Sequence, residues 1–226
     1  MNGLIRYSVM TFLVAMSTCA AQDSSRVGYY NVVHETSTST IVLLPPDTSG
    51  GKPLMQCLKH RRTSRSFDSK PLPQQVLSNL LWAAFGVNRP DGRRTAPSAM
   101  NRQDIDIYVA MQDGLYLYDA PSNLLRQLTK EDIREKTGTQ GFVKDAPLDI
   151  VYVADLSKMG KVSADDQTLY AAADCGVIVQ NVYLYCASED LACVVRASID
   201  RPALSKAMNL RTDQKIILSQ TVGYPK

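Results

Sequence analysis

The sequence predicts an α+β domain, a mostly antiparallel central sheet flanked by helices, and three observations lead there. Ile105, Ile107, Val109 and Met111 alternate with Asp104, Asp106, Tyr108 and Ala110, which describes a strand with one buried face, and after the turn-forming pair Asp113-Gly114 the apolar stretch Leu115–Tyr118 returns to make a hairpin. The run Ala164–Ser188 is too long for a strand and carries apolar residues at helical spacing, with coverage broad enough to imply burial on more than one side. Strands and helices are mixed along the chain in an order that suggests an antiparallel sheet covered by helices. With 226 residues, 45% hydrophobic and 21% charged, the chain can fill one sizeable core and does not require two.

The elements follow in chain order. Arg6, the apolar run Met10–Met16 and the small residues Ser17–Ala21 have the organisation of a secretory signal peptide over 1–21. That run is shorter than the roughly 18 residues of a membrane span. Export to the periplasm is therefore expected, with cleavage after Ala20 or Ala21; the alternative is lipidation at Cys19, to which the preceding Thr18 is a poor fit. Residues 22–52 are rich in Ser and Thr and read as an extended arm with one short strand over Ile41–Leu44, followed by Pro45, Pro46 and the turn residues Gly50 and Gly51. The remainder, 53–226, forms the domain.

A helix is expected over Leu54–Lys59 and a second from Pro73, where Val76, Leu77, Leu80, Leu81 and Ala84 recur at helical spacing until Gly86. Asn88–Thr95 is a surface loop. After the hairpin, Leu124–Leu128 adds a third strand, and Thr129 with Asp132 three residues on resembles a capping box for a short helix ending by Gly138. Leu148–Ala154, rich in Val, Ile and Tyr, is a central strand. Beyond the long helix come a strand over Cys193–Val195, a helix from Asp200 and Pro202 to Asn209, and a last strand over Ile216–Val222.

Composition excludes several kinds of function. A formal charge of +3 spread over the chain argues against nucleic acid as a partner. His34 and His60 are the only histidines, and neither stands at metal-ligand spacing from a cysteine, which also weakens Ser/His/Asp and Cys/His nucleophile schemes. Cys57, Cys175, Cys186 and Cys193 permit disulfides in an oxidising compartment, but the apolar surroundings of Cys175 and Cys186 favour buried thiols. Tyr116, Tyr118, Tyr183 and Tyr185 read as packing residues, Trp82 as core, and Arg196 either as an anion-binding residue or as half of a salt bridge.

One cluster stands out. Arg61, Arg62 and Arg65 surround Thr63 and Ser64 in the run RRTSRSF, between a helix and Phe67. By itself the run fits a solvated basic patch. It also fits a phosphate site, in which guanidinium forks and a hydroxyl make charge-assisted hydrogen bonds of about 1.5–3 kcal/mol each.

Four segments in order decide between these readings: Arg61–Phe67; PSAMNRQ at Pro97–Gln103, with the helix LPQQVLSNLLWAA between them; AADCGVIVQNVYLYCAS; and VGYP at Val222–Pro225. Together they resemble the FMN-dependent nitroreductase family over Leu54–Lys226. The stretch NRPDGRRTAPSAMNRQDIDIYVA and the YLYD hairpin are similar to the thiazole/oxazole-forming (azoline) dehydrogenase-like subgroup. The resemblance implies a nitroreductase-like fold in an intertwined homodimer with FMN at the subunit interface. It implies that Arg61, Arg62 and Thr63 meet the FMN phosphate and ribityl chain and that Arg65 reaches the N1 and O2 side of the ring, where a cation stabilises the charge of reduced flavin. Pro97, Ser98, Ala99 and Asn101 would come from the partner subunit to the ring edge, and the Ala197 and Ser198 amides would face N5 and O4. Lys226 stands where relatives carry a phosphate-binding basic residue, and equally at a chain end that frays. Three departures accompany the match: Asp190-Leu191-Ala192 replaces a glycine-bearing turn, Ser198 replaces glycine, and no residue follows Lys226 in this sequence.

The expected function is an exported FMN oxidoreductase that passes hydride through flavin N5 by a ping-pong route, with a small-molecule electron donor and acceptor and no side-chain nucleophile. The alternatives are an azoline-type dehydrogenase of a small cyclic substrate and a flavin- or ligand-binding module without turnover.

Overall fold

Among the described residues seven strands form one sheet in the order β1-β4-β3-β2-β5-β7-β6, and every neighbouring pair is antiparallel. The strands are β1 (Thr40–Val42), β2 (Ile105–Met111), β3 (Gly114–Asp119), β4 (Leu124–Thr129), β5 (Leu148–Asp155), β6 (Ala192–Arg196) and β7 (Gln214–Gly223); the helices are α1 (Leu54–His60), α2 (Gln74–Phe85), α3 (Ala164–Ser188) and α4 (Arg201–Ala207). This computed structural model describes residues 39–226. The expected signal peptide and the first part of the arm lie outside the described residues.

Both faces of the sheet carry a hydrophobic cluster. On one face α2 and α3 pack over a large core that includes Leu80, Leu81, Ile107, Val109, Ile150, Tyr152, Ile178 and Val182. On the other, a smaller cluster of Tyr108, Ala110, Val151, Val153, Leu204, Met208 and Ile216 lies partly beneath α4. Hence β5 is buried at every position. It also corrects the expectation of a single buried face on β2: Tyr108 is only 5% exposed and Ala110 not at all, since α4 and its neighbours cover what alternation left to solvent.

The long helix has its expected bounds, with the Ser163 side chain capping the Asp166 N–H and with Asp165 and Asp166 in its first turn, where the helix dipole favours acids. The β2–β3 loop is displaced by one residue from expectation. Met111 pairs with Gly114, so Gln112 and Asp113 form the turn and Gly114 opens the strand at φ +145°; a Cβ there would lie 2.2 Å from the Thr129 carbonyl oxygen.

The capping box at Thr129 does not form. Thr129 ends β4, its hydroxyl accepts the Glu131 N–H, and Asp132 takes the Arg134 N–H two residues on. These local side-chain turns compete with a helix start and leave only a 3-10 turn over Arg134–Thr137. The described part of the arm belongs to the body of the domain: β1 pairs with β4, Leu43 is 4% exposed, and the Ser78 hydroxyl donates to the Leu44 carbonyl.

Candidate functional site

Helix α1 closes when the Arg61 N–H donates to the Cys57 carbonyl at 2.8 Å, and the chain then leaves as an extended strap. The Ser64 N–H donates to Cys193 of β6, Phe67 is buried in a bridge with Pro225, and the Asp68 N–H donates to Tyr224. RRTSRSF is thus fixed at both ends against the outer strand pair while its middle stays accessible.

Beneath it stands Tyr183 of α3, 7% exposed. Its hydroxyl accepts the Val195 N–H at 2.9 Å and lies 3.1 Å from Thr63 Oγ1, while the Arg61 guanidinium sits 5.3 Å from its ring centroid. One buried side chain therefore supports both Arg61 and Thr63, a cation–π contact and a hydrogen bond from the same ring.

A cavity of about 510 Å3 opens here, lined among others by Lys52, Lys59, His60, Arg61, Arg62, Ser64 and Tyr183. Its one acid is Asp190, already paired with Lys52, whose ammonium holds the Asp190 carboxyl below the ordinary carboxylate range. Among the described residues no ion pair uses Arg61, Arg62 or Arg65. Cations held together without carboxylates are disposed to take an anion from outside the chain. Lys52, Lys59 and His60 escaped sequence reasoning. The two before the cluster continue it and could have been read from spacing; Lys52 arrives only because its amide and ammonium are tied to Ser188 and Asp190.

Thr63 and Arg65 are exposed on the strap and do not line this cavity, and the other expected site residues lie elsewhere. Pro97, Ser98, Ala99 and Asn101 do not line this cavity in the same chain. They form a tight segment in which Met100, Asn101 and Gln103 have φ of 53°, 53° and 50°. The Ser98 hydroxyl accepts the Gln103 N–H, Gln103 accepts from Arg94, and the Ala99 N–H donates to both carboxylate oxygens of Asp174 at 3.1 and 2.9 Å. Ala197 and Ser198 are exposed just beyond β6. Lys226 lines a neighbouring cavity of about 550 Å3 with Phe67, Asp68 and Lys144, so the fold does not bring it to Arg61 and Arg62 in this cavity.

Arg196 proves to be half of a salt bridge. It is 5% exposed, its Nη2 lies 2.8 Å from Asp149 Oδ1, and its other donors reach Thr137 and Thr221. Burial pushes the Asp149 carboxyl up to about 7 against the pull of Arg196. The guanidinium lies so close to Gly138 that a Cβ there would sit 1.7 Å from Nη1. This buried network anchors the base of the Ala197-Ser198 turn, whose Ser198 carbonyl accepts the Thr139 N–H. Tyr116 also packs as expected, 1% exposed with its hydroxyl donating to Asp113. Trp82 is half-buried rather than core, and its indole N–H donates to the Val87 carbonyl. The four cysteines of the domain are free and buried.

A presumed nitroreductase of Methanocaldococcus jannaschii is 30% identical over 151 residues, which cover 62% of this chain and 76% of the relative. A crystal structure of a presumed nitroreductase from Ralstonia eutropha JMP134 shares 45% identity at a TM-score of 0.80, covering 83% of this chain and 90% of that one. An NADPH:FMN oxidoreductase from Vibrio harveyi, crystallised with NAD+, shares the fold at a TM-score of 0.58 and 17% identity, over 76% of this chain and 69% of its own. Residues 58–224 match the nitroreductase family across the strap, α2 to α4 and all of β2 to β7, and the chain belongs to that family of oxidoreductases.

Proposed function

We propose that the protein is an exported, homodimeric, FMN-dependent oxidoreductase that takes electrons from one small molecule and passes them to another in turn. The observation that carries this reading is the cavity lined by Lys59, His60, Arg61 and Arg62, whose arginines have no carboxylate partner among the described residues and of which Arg61 rests on a buried tyrosine. The donor set of the cavity fits the phosphate end of FMN, since planar guanidinium forks match phosphate oxygens; Thr63, exposed on the strap with its hydroxyl 3.1 Å from that of Tyr183, is assigned to the phosphate and ribityl chain. Bound FMN would supply a ring atom, N5, that accepts and returns hydride. Arg65, exposed on the same strap, is the cation assigned to the ring, and the Ala197 and Ser198 amides are assigned to its N5 and O4 edge. The Vibrio harveyi neighbour is itself an NADPH:FMN oxidoreductase.

Two features support the homodimer. One side of α3, with Leu169 62% and Val177 40% exposed and Ala172, Ala173 and Gly176 beside them, is apolar yet uncovered within a single chain. Pro97, Ser98, Ala99 and Asn101 stand apart from the phosphate cavity of their own chain, as residues serving the partner's flavin would. Export rests on the basic start, apolar run and small residues of 1–21. Sequencing the mature N-terminus should find a start at Ala21 or Gln22, or a lipidated Cys19 in the alternative case.

The purified protein should be yellow, with an FMN spectrum that bleaches anaerobically on adding NAD(P)H; failure to bind FMN would overturn the proposal. A flavoprotein that bleaches instead with a cyclic azoline supports the dehydrogenase reading, which rests on the stretch NRPDGRRTAPSAMNRQDIDIYVA. A flavoprotein reduced by neither donor supports a binding module.

A further inference from the structure

Under the Pro97–Gln103 segment two carboxyls meet out of contact with solvent. Asp104 is 1% and Asp174 6% exposed. Both Asp104 oxygens are buried, and neither receives a hydrogen bond from a donor among the described residues. The Asp174 carboxyl stands close enough to raise that of Asp104 and at the same time accepts the Ala99 N–H with both oxygens. The other charged or titratable groups facing Asp104 offer little relief. The Lys158 ammonium lies nearby but is hydrogen-bonded to Asp106, and the fully buried Cys175 thiol is pushed up to about 12 by burial and by the Asp104 charge.

Two ionised carboxylates cannot both remain in such a place at low cost, whereas one proton held between them removes a charge and supplies the missing donor. We infer that Asp104 and Asp174 share a proton and act as positioning residues, holding the segment Ser98–Gln103, left-handed at Met100, Asn101 and Gln103, through the Ala99 amide in the form that meets the flavin. The inference rests on the proposed FMN site and adds its regulation: losing the shared proton loosens the segment and weakens flavin binding.

The direction follows from burial first and Asp174 second, which together raise Asp104 from 3.8 to about 6. The folded protein then holds a proton that the unfolded chain has given up. The pair's contribution to stability is greatest below about pH 4 and declines as pH rises to about 6.

The test compares full-length mature protein with Asp104→Asn, whose amide donates to Asp174 permanently. FMN dissociation constants and, separately, the thermal midpoint without flavin are measured from pH 4.5 to 8. The FMN phosphate itself changes charge near pH 6, so the variant, which keeps that contribution, serves as the reference. Wild type should lose affinity relative to the variant by about fivefold as pH rises through 6. Its thermal midpoint should fall more steeply over the acid half of the range. Should Asp104→Asn not fold, Asp174→Asn, whose amide keeps an oxygen for Ala99 and donates to Asp104, takes its place. Parallel thermal profiles overturn the shared proton whatever the flavin does, and a matching affinity profile overturns its role at the site. Absence of FMN binding at every pH instead overturns the proposed function, and the thermal comparison still judges the pair.

Discussion

Arg196 and the strap arginines are the same residue type under opposite conditions. Arg196 lies inside the domain, 5% exposed, with its donors shared among Asp149, Thr137 and Thr221. Arg61 is half-buried on one aromatic ring, Arg62 and Arg65 are exposed, and none of them has an acid to neutralise it among the described residues. A buried guanidinium must be partnered because taking it out of water is costly, so its hydrogen bonds are committed to the fold. A solvated one bears no such penalty and keeps its donors for a ligand. Stability and binding should therefore separate cleanly when the two regions are mutated.

The largest effect is expected at the buried network. Arg196→Met should lower unfolding free energy by about 3–5 kcal/mol in urea titrations, because Asp149 is left buried without its cation. Replacing both partners, Arg196→Met with Asp149→Leu, should cost less than the single change; an additive double mutant would contradict the idea of a mutually dependent pair.

At the strap the order reverses. Arg61→Ala and Arg65→Ala should each weaken FMN binding by about 1.5–3 kcal/mol, roughly ten- to a hundredfold, while leaving stability within about 0.5 kcal/mol. Equal FMN affinity in wild type and both variants would remove the site.

Tyr183→Phe tests the support that links the two kinds of region. Loss of the hydroxyl leaves the Val195 N–H without its acceptor and Thr63 without its neighbour, and should cost about 1 kcal/mol in stability together with a few-fold in FMN affinity. The smallest effect belongs to Arg93, which is 55% exposed and paired with an equally open Asp91. Arg93→Ala should change FMN affinity less than about twofold, the range of a solvent-screened surface pair.

Local chemistry made some of this legible in advance. Apolar residues at helical spacing gave α3 its bounds, and the Val-, Ile- and Tyr-rich run Leu148–Ala154 read as a central strand. Other readings failed where a remote element intervened. Tyr108 and Ala110 alternate as though solvent-facing, and only a cluster that brings in Ile133, Leu204 and Met208 from later in the chain buries them. Thr129 and Asp132 have the spacing of a helix start, yet β4 claims the first and an Asx turn the second. At the site, Arg61, Arg62 and Thr63 were visible because they are contiguous. Lys52 and Tyr183 were not, since they reach the cavity from the arm and from α3.

The sequence by itself determined the α+β class, the long helix and the one cationic run, because periodicity, caps and charge density are properties of neighbouring residues. Only the tertiary structure decided which arginines are free and which are spent, and that Asp104 meets Asp174, seventy positions along the chain. Burial and partnership depend on what folds over a residue, and hydrophobic packing, which is nondirectional, leaves no local mark of the element that will arrive.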